Sequence, residues 1–458
     1  MALTGSDQAP RLPARSSLAL LWARLKDRLG GDELMLVQRL AGTIFLIRVV
    51  SALLAYGSQV LFARWMGTFE FGVYVYVWTW VLLIGQSLDL GLATAAQRFI
   101  PEYRAHGKLD RLRGYITGSR WLAVSIAIAV AVACAGLVRL LSPWLDDYTV
   151  IPLYLACIAL PAYALANVQD GISRSHDWVA LGILPTYILR QLLLTVLMAA
   201  AYVGGLPLDA VTAMMLACAS IWLPALGQLF VLNRRLATHI EPGPKTYDVR
   251  LWLATALPIL MAEGFYLLLA HTDVLLLQQF RPPEDVAVYY AAAKTLALVS
   301  FIHFAIAATT AHRFATFHAT GDGAGLATFL RQAIRWTFWP SLIACALLLA
   351  AGQPLLRLFG PDFASGYHLM FILAIGLLAR AAVGPMERLL NVLGHQRMAA
   401  FACATAFATN VALCLLLIPM LGATGAAIAT AAALMTESAA LFTIARRRLG
   451  VSLWGRRA

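Results

Sequence analysis

The chain has 458 residues, 61% of them hydrophobic and only 13% charged, with a mean hydropathy of +0.75. An ordinary soluble domain carries roughly 25% charged residues, so a water-soluble globular fold of this length is excluded and the solvent must be mostly lipid. The net charge of +12 would suit a nucleic-acid partner only if Lys and Arg gathered on one soluble face; they lie between apolar runs instead, which reads as membrane topology.

Taken in chain order, residues 1–40 read as a cytoplasmic N-terminal segment. Within it, RSSLALLWARLKDRLGG places Leu18, Leu21, Trp22, Leu25 and Leu29 on one helical face and Arg24, Lys26 and Arg28 on the rest, the pattern of a helix lying in the membrane interface. Crossing the hydrocarbon core takes about 20 apolar residues, and such windows open near residues 41, 72, 121, 151, 179, 211, 251, 286, 333, 366, 398 and 423. The spacing predicts an all-α polytopic membrane protein of about 12 transmembrane helices. The fourth span carries Pro161 and the seventh carries Pro258, Gly264 and Asp273, so both are expected to be bent or broken.

With loops alternating from a cytoplasmic start, about 27 of the 35 Lys and Arg residues fall on one side, about 3 on the other (Arg64, Arg281, Arg357) and about 5 within or at the edge of spans (Arg48, Arg139, Arg190, Lys294, Arg380). Both termini are therefore expected to be cytoplasmic, with 447–458 as a basic tail. Trp78, Trp80, Trp121, Trp144, Tyr148 and Trp336 lie at or near expected span ends, as interfacial aromatics do.

The chain also repeats itself. Val73-Tyr74 is matched by Val288-Tyr289, Arg98-Phe99 by Arg313-Phe314 and Arg120-Trp121 by Arg335-Trp336, all at one offset of 215 residues (288 − 73). The offset joins span 2 to span 8 and span 3 to span 9. Six spans are thus repeated as an N-lobe (41–235) and a C-lobe (251–446). Because six is even, the two lobes are parallel, a transporter architecture. The Pro-, Gly- and charge-rich stretch 236–250 reads as a cytoplasmic linker.

An integral membrane glycan polymerase or glycosyltransferase is disfavoured by the short outer loops RWMGTFEF, SPWLDDYT and GGLPLD, none of which has room for a catalytic domain. Asp146 and Asp147 have no His or further carboxylate nearby and read as an acidic turn. Cys134, Cys157, Cys218, Cys345, Cys403 and Cys414 all fall in apolar stretches without a CxxC pair, and His271, His303 and His312 lack metal spacing, so no metal site is expected. No nucleotide-binding or metalloprotease motif occurs, and the Gly-rich GDGAGLA at 321–327 follows no strand. The reading is of a protein that is not an enzyme and carries no cofactor, with transport driven by an ion gradient, the membrane potential or consumption of its substrate.

The stretch 59–114 is more specific: a short Met66-Gly67 turn after span 1, a Phe-Gly-x-Tyr entry at Phe71, Gly72 and Tyr74, a Leu-Asp-Leu-Gly exit at 88–91, and a basic loop to Arg113. It resembles the Wzx-type polysaccharide flippases of the multidrug/oligosaccharidyl-lipid/polysaccharide exporter superfamily. The resemblance covers the whole chain in architecture and about one eighth of it in motif. It implies an alternating-access exporter in the bacterial inner membrane that carries a polyprenyl-diphosphate-linked oligosaccharide from inner to outer leaflet. Its partners would be that lipid, the surrounding inner-membrane lipid and the polysaccharide polymerase machinery. The alternative within the superfamily is an ion-coupled drug or small-solute exporter. Lipid-II-type relatives carry fourteen spans, with the extra pair forming a groove for the lipid tail; this chain offers twelve.

Ionisable residues inside spans cost about 2.5–3.5 kcal/mol each at mid-membrane, so Arg48, Arg190, Lys294, Arg380, Glu263 and Glu437 must face water or one another. For a diphosphate, Arg supplies a bidentate fork and Lys a point charge. Arg48, Lys294 and Arg380, with Arg190 after them, are the expected substrate contacts; intramembrane ion pairs that fix lobe packing are the equally weighted alternative. Arg48 and Glu263 stand at the 215-residue offset in spans 1 and 7, so they could meet between the lobes as a gate. Asp273 and Asp89 are the remaining acids; Asp273, in the span with broken-helix signals, is the better candidate for proton or sodium coupling.

Overall fold

In the computed structural model the backbone is described over residues 31–449, and side chains over 47–261 and 263–447. The expected interfacial helix before residue 31 and most of the basic tail lie outside the described residues. Residues 31–46 are helical and form a unit of their own; all that follows concerns the unit that begins at Ile47.

Ten helices among the described residues are long and apolar enough to cross a membrane, or eleven with the bent helix Val249–Phe280 counted as one span. The first of them runs from Ile47 to Ala105 over 59 residues, about 90 Å at the helical rise and far more than one crossing needs. It is interrupted at Gly67, whose φ of 79° and ψ of 176° are non-helical and open chiefly to glycine. The chain folds back there. Phe62 and Tyr74, about 18 Å apart along an unbroken helix, have ring centroids 6.3 Å apart. Dividing this helix at Gly67 gives the twelve spans that hydropathy predicts.

Spans 1 and 2 are thus residues 47–66 and 68–105, and the next four are Leu109–Trp144, Asp147–Arg174, Val179–Val203 and Ala210–His239. Span 7 is Val249–Phe280, followed by Pro283–Thr320, Gly323–Ala350, Asp362–Val383, Gln396–Leu421 and Ala423–Arg447. In the first half, span 4 packs against spans 3 and 6; in the second, span 12 packs against spans 10 and 11, and span 11 against span 7. Burial recurs at the repeat offset: Tyr74 and Tyr289 are buried, as are Phe99 and Phe314, whereas Trp121 and Trp336 project outward. Arg120 and Arg335 break the pattern, since Arg120 is buried and donates to Asn233 Oδ1 at 2.6 Å while Arg335 is exposed.

Span 7 bends by 43° between Met261 and Glu263, as its Pro and Gly content predicts. Span 4 does not break: Asp147–Arg174 is one helix with Pro152 and Pro161 inside it, because neighbouring helices can satisfy the backbone groups that a proline frees. The interruptions fall elsewhere, in span 2 at Leu88–Gly91, in span 8 at Leu298–Val299, and in span 5 as a π-helical turn, Pro185–Leu189. Trp78 is not interfacial; it is buried and stacks on Tyr74.

The two halves meet at both ends. Opposite the linker, Tyr56 of span 1 hydrogen-bonds Thr295 of span 8 at 3.1 Å, Tyr76 accepts from Gln279 at 3.3 Å, and Phe71 packs edge-on against Tyr290 and Phe363. At the linker end, Trp252 of span 7 is wholly buried among N-half residues, edge-on to Tyr115 at 5.0 Å. The linker itself is strapped to the start of span 3: Arg113 Nε donates to the carbonyl of Glu241 at 2.6 Å, and Thr246 donates to Asp110 through both its backbone N–H and its hydroxyl.

Candidate functional site

Three of the four expected cations stand over aromatic rings and form no ion pair among the described residues. The Arg48 guanidinium lies 5.1 Å from the centroid of Tyr187, Arg190 lies 5.4 Å from Trp78, and Lys294 Nζ lies 5.0 Å from Tyr290. Such cation–π contacts stabilise a charge by about 0.5–2 kcal/mol while leaving its hydrogen-bond donors largely free. The π-helical turn of span 5 gathers two of them, since Tyr187 lies within it and Arg190 follows it. π-bulges of this kind recur at functional sites. Lys294 precedes Thr295, the residue that bonds Tyr56 across the two halves, so it sits beside an inter-lobe contact.

Arg380 differs. Its Nε lies 3.8 Å from Glu437 Oε2 of span 12, and its guanidinium also lies 5.6 Å from the ring of Tyr266. Glu437 is almost fully buried, so here the intramembrane ion pair is realised within the C-half. Arg48 and Glu263 are not joined: Glu263 is exposed just past the span 7 bend and makes no ion pair among the described residues. Equivalence under the repeat fixes depth along a span, and the tilt between helices decides whether two such positions touch.

The two acids separate in role. Asp89 lies in the span 2 interruption and accepts from the backbone N–H groups of Gly91 at 3.1 Å and Ala93 at 3.3 Å. It therefore satisfies N–H groups at the start of the second half of that span, from two residues before the Gly91 N-cap. Asp273 is buried, and its Oδ2 accepts from the hydroxyls of Tyr289 (span 8) and Thr430 (span 12), the latter at 3.1 Å. Thr430 in turn lies 3.4 Å from Asn410 Nδ2 of span 11. Three spans thus meet at one carboxylate, and a fourth reaches it through Thr430.

Sequence reasoning missed Tyr289, Thr430 and Asn410, although the repeat carries a signal for two of them. The 215-residue offset maps Ser58, Tyr74 and Thr195 onto Asp273, Tyr289 and Asn410, and the Ser58 and Thr195 hydroxyls lie 2.8 Å apart. The N-half joins its two equivalent positions directly through hydroxyls, whereas in the C-half Asp273 and Asn410 are linked through Thr430. Asp170 and Arg174 were also missed. Arg174 Nη2 lies 2.8 Å from Asp170 Oδ2, and Arg174 Nε donates to Oδ1 at 3.0 Å. Their i, i+4 spacing at the end of span 4 was the available clue.

A sequence profile of the polysaccharide biosynthesis protein family matches residues 39–312, more than half of the chain. The chain belongs to this family. A MatE profile matches residues 258–416. No curated protein matches the chain. Among solved structures, it is similar to the inward-facing conformation of a multidrug resistance MATE family transporter of the MOP superfamily: TM-score 0.74, 15% identity, covering 89% of this chain and 98% of that one. It is also similar to the lipid II flippase MurJ in its inward closed conformation, with a TM-score of 0.71 and 14% identity over 88% of this chain and 87% of that one. An outward-facing MATE family transporter gives a TM-score of 0.64 at 16% identity, covering 89% and 95%. This member of the family is therefore a multi-pass membrane protein with the fold of MOP-superfamily transporters and flippases.

Proposed function

We propose that this protein is a flippase that moves a polyprenyl-diphosphate-linked oligosaccharide from the inner to the outer leaflet of a bacterial inner membrane by alternating access. The observation that carries the reading is the charge of the spans: Arg48, Arg190 and Lys294 have no carboxylate partner among the described residues, and each is held by a ring. A membrane pathway that retains unneutralised cations suits an anionic cargo, and guanidinium and ammonium groups with free donors suit phosphate oxygens. Family membership supports the pathway, and solved structures of similar fold include the lipid II flippase MurJ. In this reading Asp273, with Tyr289 and Thr430 around it, is the coupling group for a proton or sodium ion, and the termini and linker are cytoplasmic.

The test is made on the host with the gene deleted. Inner-membrane lipids should accumulate polyprenyl-diphosphate oligosaccharide while the surface polymer is lost, and the accumulated lipid identifies the sugars. An unchanged lipid pool with intact polymer, in a strain without a second flippase, would move the assignment to a small-solute or drug exporter on the same fold.

A further inference from the structure

A groove of about 440 Å³ opens at the linker end of the N-half, lined by Gln97, Pro101 and Arg104 of span 2 and by Arg174, Ser175 and Asp177 of the span 4–5 turn. Its volume lies within the range of roughly 300–1,000 Å³ usual for small-molecule sites, and it sits where spans 2 and 4 end. Arg174 is fixed from behind. The buried carboxylate of Asp170 takes two of its N–H groups as a fork, and the other three donors of the guanidinium are free for the groove. Across the groove, the Arg104 side chain is exposed and has no hydrogen bond, ion pair or ring partner among the described residues. Neighbouring arginines are engaged: Arg98 with Glu102, Arg111 with Asp248, Arg113 with Glu241, and Arg235 over Trp178. Burial pushes the adjacent His176 imidazole below its ordinary range, so it adds no charge at neutral pH. Asp177, at the rim, adopts a left-handed conformation with φ 58°, a geometry that Asp accepts more readily than most residues.

We infer that this groove is a docking site for a phosphate-bearing lipid head group, gripped between the free fork of Arg104 and the clamped fork of Arg174. Two guanidiniums on separate helices, one held rigid by a buried acid, form a preorganised phosphate cradle. Asp177 gives the rim an acceptor for an ammonium or sugar hydroxyl on the same head group. Under the function proposed above, on which the choice of lipid rests, the occupant is the polyprenyl diphosphate of the cargo before it enters the inter-lobe path. A bulk anionic phospholipid offers the same chemistry.

The purified full chain, reconstituted in phosphatidylcholine nanodiscs doped with either undecaprenyl diphosphate or phosphatidylglycerol, separates these sources when retained lipid is measured by native mass spectrometry. Retention of undecaprenyl diphosphate should fall about tenfold in Arg104→Ala and in Asp170→Asn, with Arg104→Lys intermediate because an ammonium lacks the fork. Loss confined to undecaprenyl diphosphate marks a cargo site, whereas an equal loss of phosphatidylglycerol marks a general head-group site; either outcome supports the phosphate cradle. Unchanged retention of both lipids in Arg104→Ala, whose exposed side chain has no packing role to lose, would overturn it. Binding is read without transport, so the lipid pool of the deletion strain decides the flippase reading separately.

Discussion

Gly72 of span 2 lies so close to Pro283 of span 8 that a Cβ at position 72 would overlap the proline's carbonyl group. The same end of the molecule carries the Tyr56–Thr295 and Tyr76–Gln279 hydrogen bonds between the halves. Contact there depends on a residue without a side chain. Gly72→Val should therefore hold this end apart. In that background a cysteine at Thr295, which is buried against Tyr56, should become reactive to a membrane-impermeant maleimide; unaltered protection would refute the idea that this contact seals the lobes.

For the Arg380 and Glu437 pair, removing one partner leaves an uncompensated buried charge. Glu437→Ala should destabilise the protein by about 3 kcal/mol, while the double replacement Arg380→Met with Glu437→Leu should restore most of the loss. Thermal unfolding in detergent reads the stability. If the double variant unfolds like wild type and still exports polymer, Arg380 serves packing only; if it is stable but silent, the arginine also touches cargo.

The ring-held cations make a different prediction. Arg48→Ala or Lys294→Ala should abolish surface polymer while the amount of protein in the membrane stays the same, because neither is tied into an ion pair among the described residues whose loss would unfold the chain. Normal polymer from both variants would remove them from the substrate path.

Asp273→Asn keeps an acceptor for Tyr289 and Thr430 but removes the charge. Flux in proteoliposomes should lose its dependence on an imposed proton or sodium gradient, with little change in melting temperature. A variant that still responds to the gradient as wild type does would place coupling elsewhere.

Trp252 is the anchor of the linker end, enclosed by Tyr103 and Tyr115 with its indole N–H 3.4 Å from the Tyr103 hydroxyl. Trp252→Ala should cost about 3–5 kcal/mol, measured as a lowered denaturation midpoint. An effect within 1 kcal/mol would show that this anchor contributes little.

Hydropathy, the 215-residue repeat and the Met66-Gly67 turn were enough to specify twelve spans, the starts of most of them and the reversal after span 1, although spans 3 and 9 begin at Leu109 and Gly323, well before the expected 121 and 333, because their first turns are polar. Each of these rests on local composition: a run of about 20 apolar residues has to be a helix in lipid, because no water can satisfy its backbone. The charges inside the spans were equally visible, since each interrupts an apolar run. What they face was not. Arg380 meets Glu437 from 57 residues away, and Asp273 meets Thr430 from 157 residues away, so only the packing of spans 7, 8, 10, 11 and 12 decides which charge is neutralised and which is surrounded by hydroxyls. Arg48 and Glu263 show the converse, matched by the repeat yet not joined in an ion pair. Pro161 looked like a break and is not one, because neighbouring helices can take up what a proline leaves unsatisfied. Local chemistry determined that these residues cross the membrane and how often; the tertiary structure alone selected their partners, because in lipid the direction a side chain faces is set by the neighbouring helix.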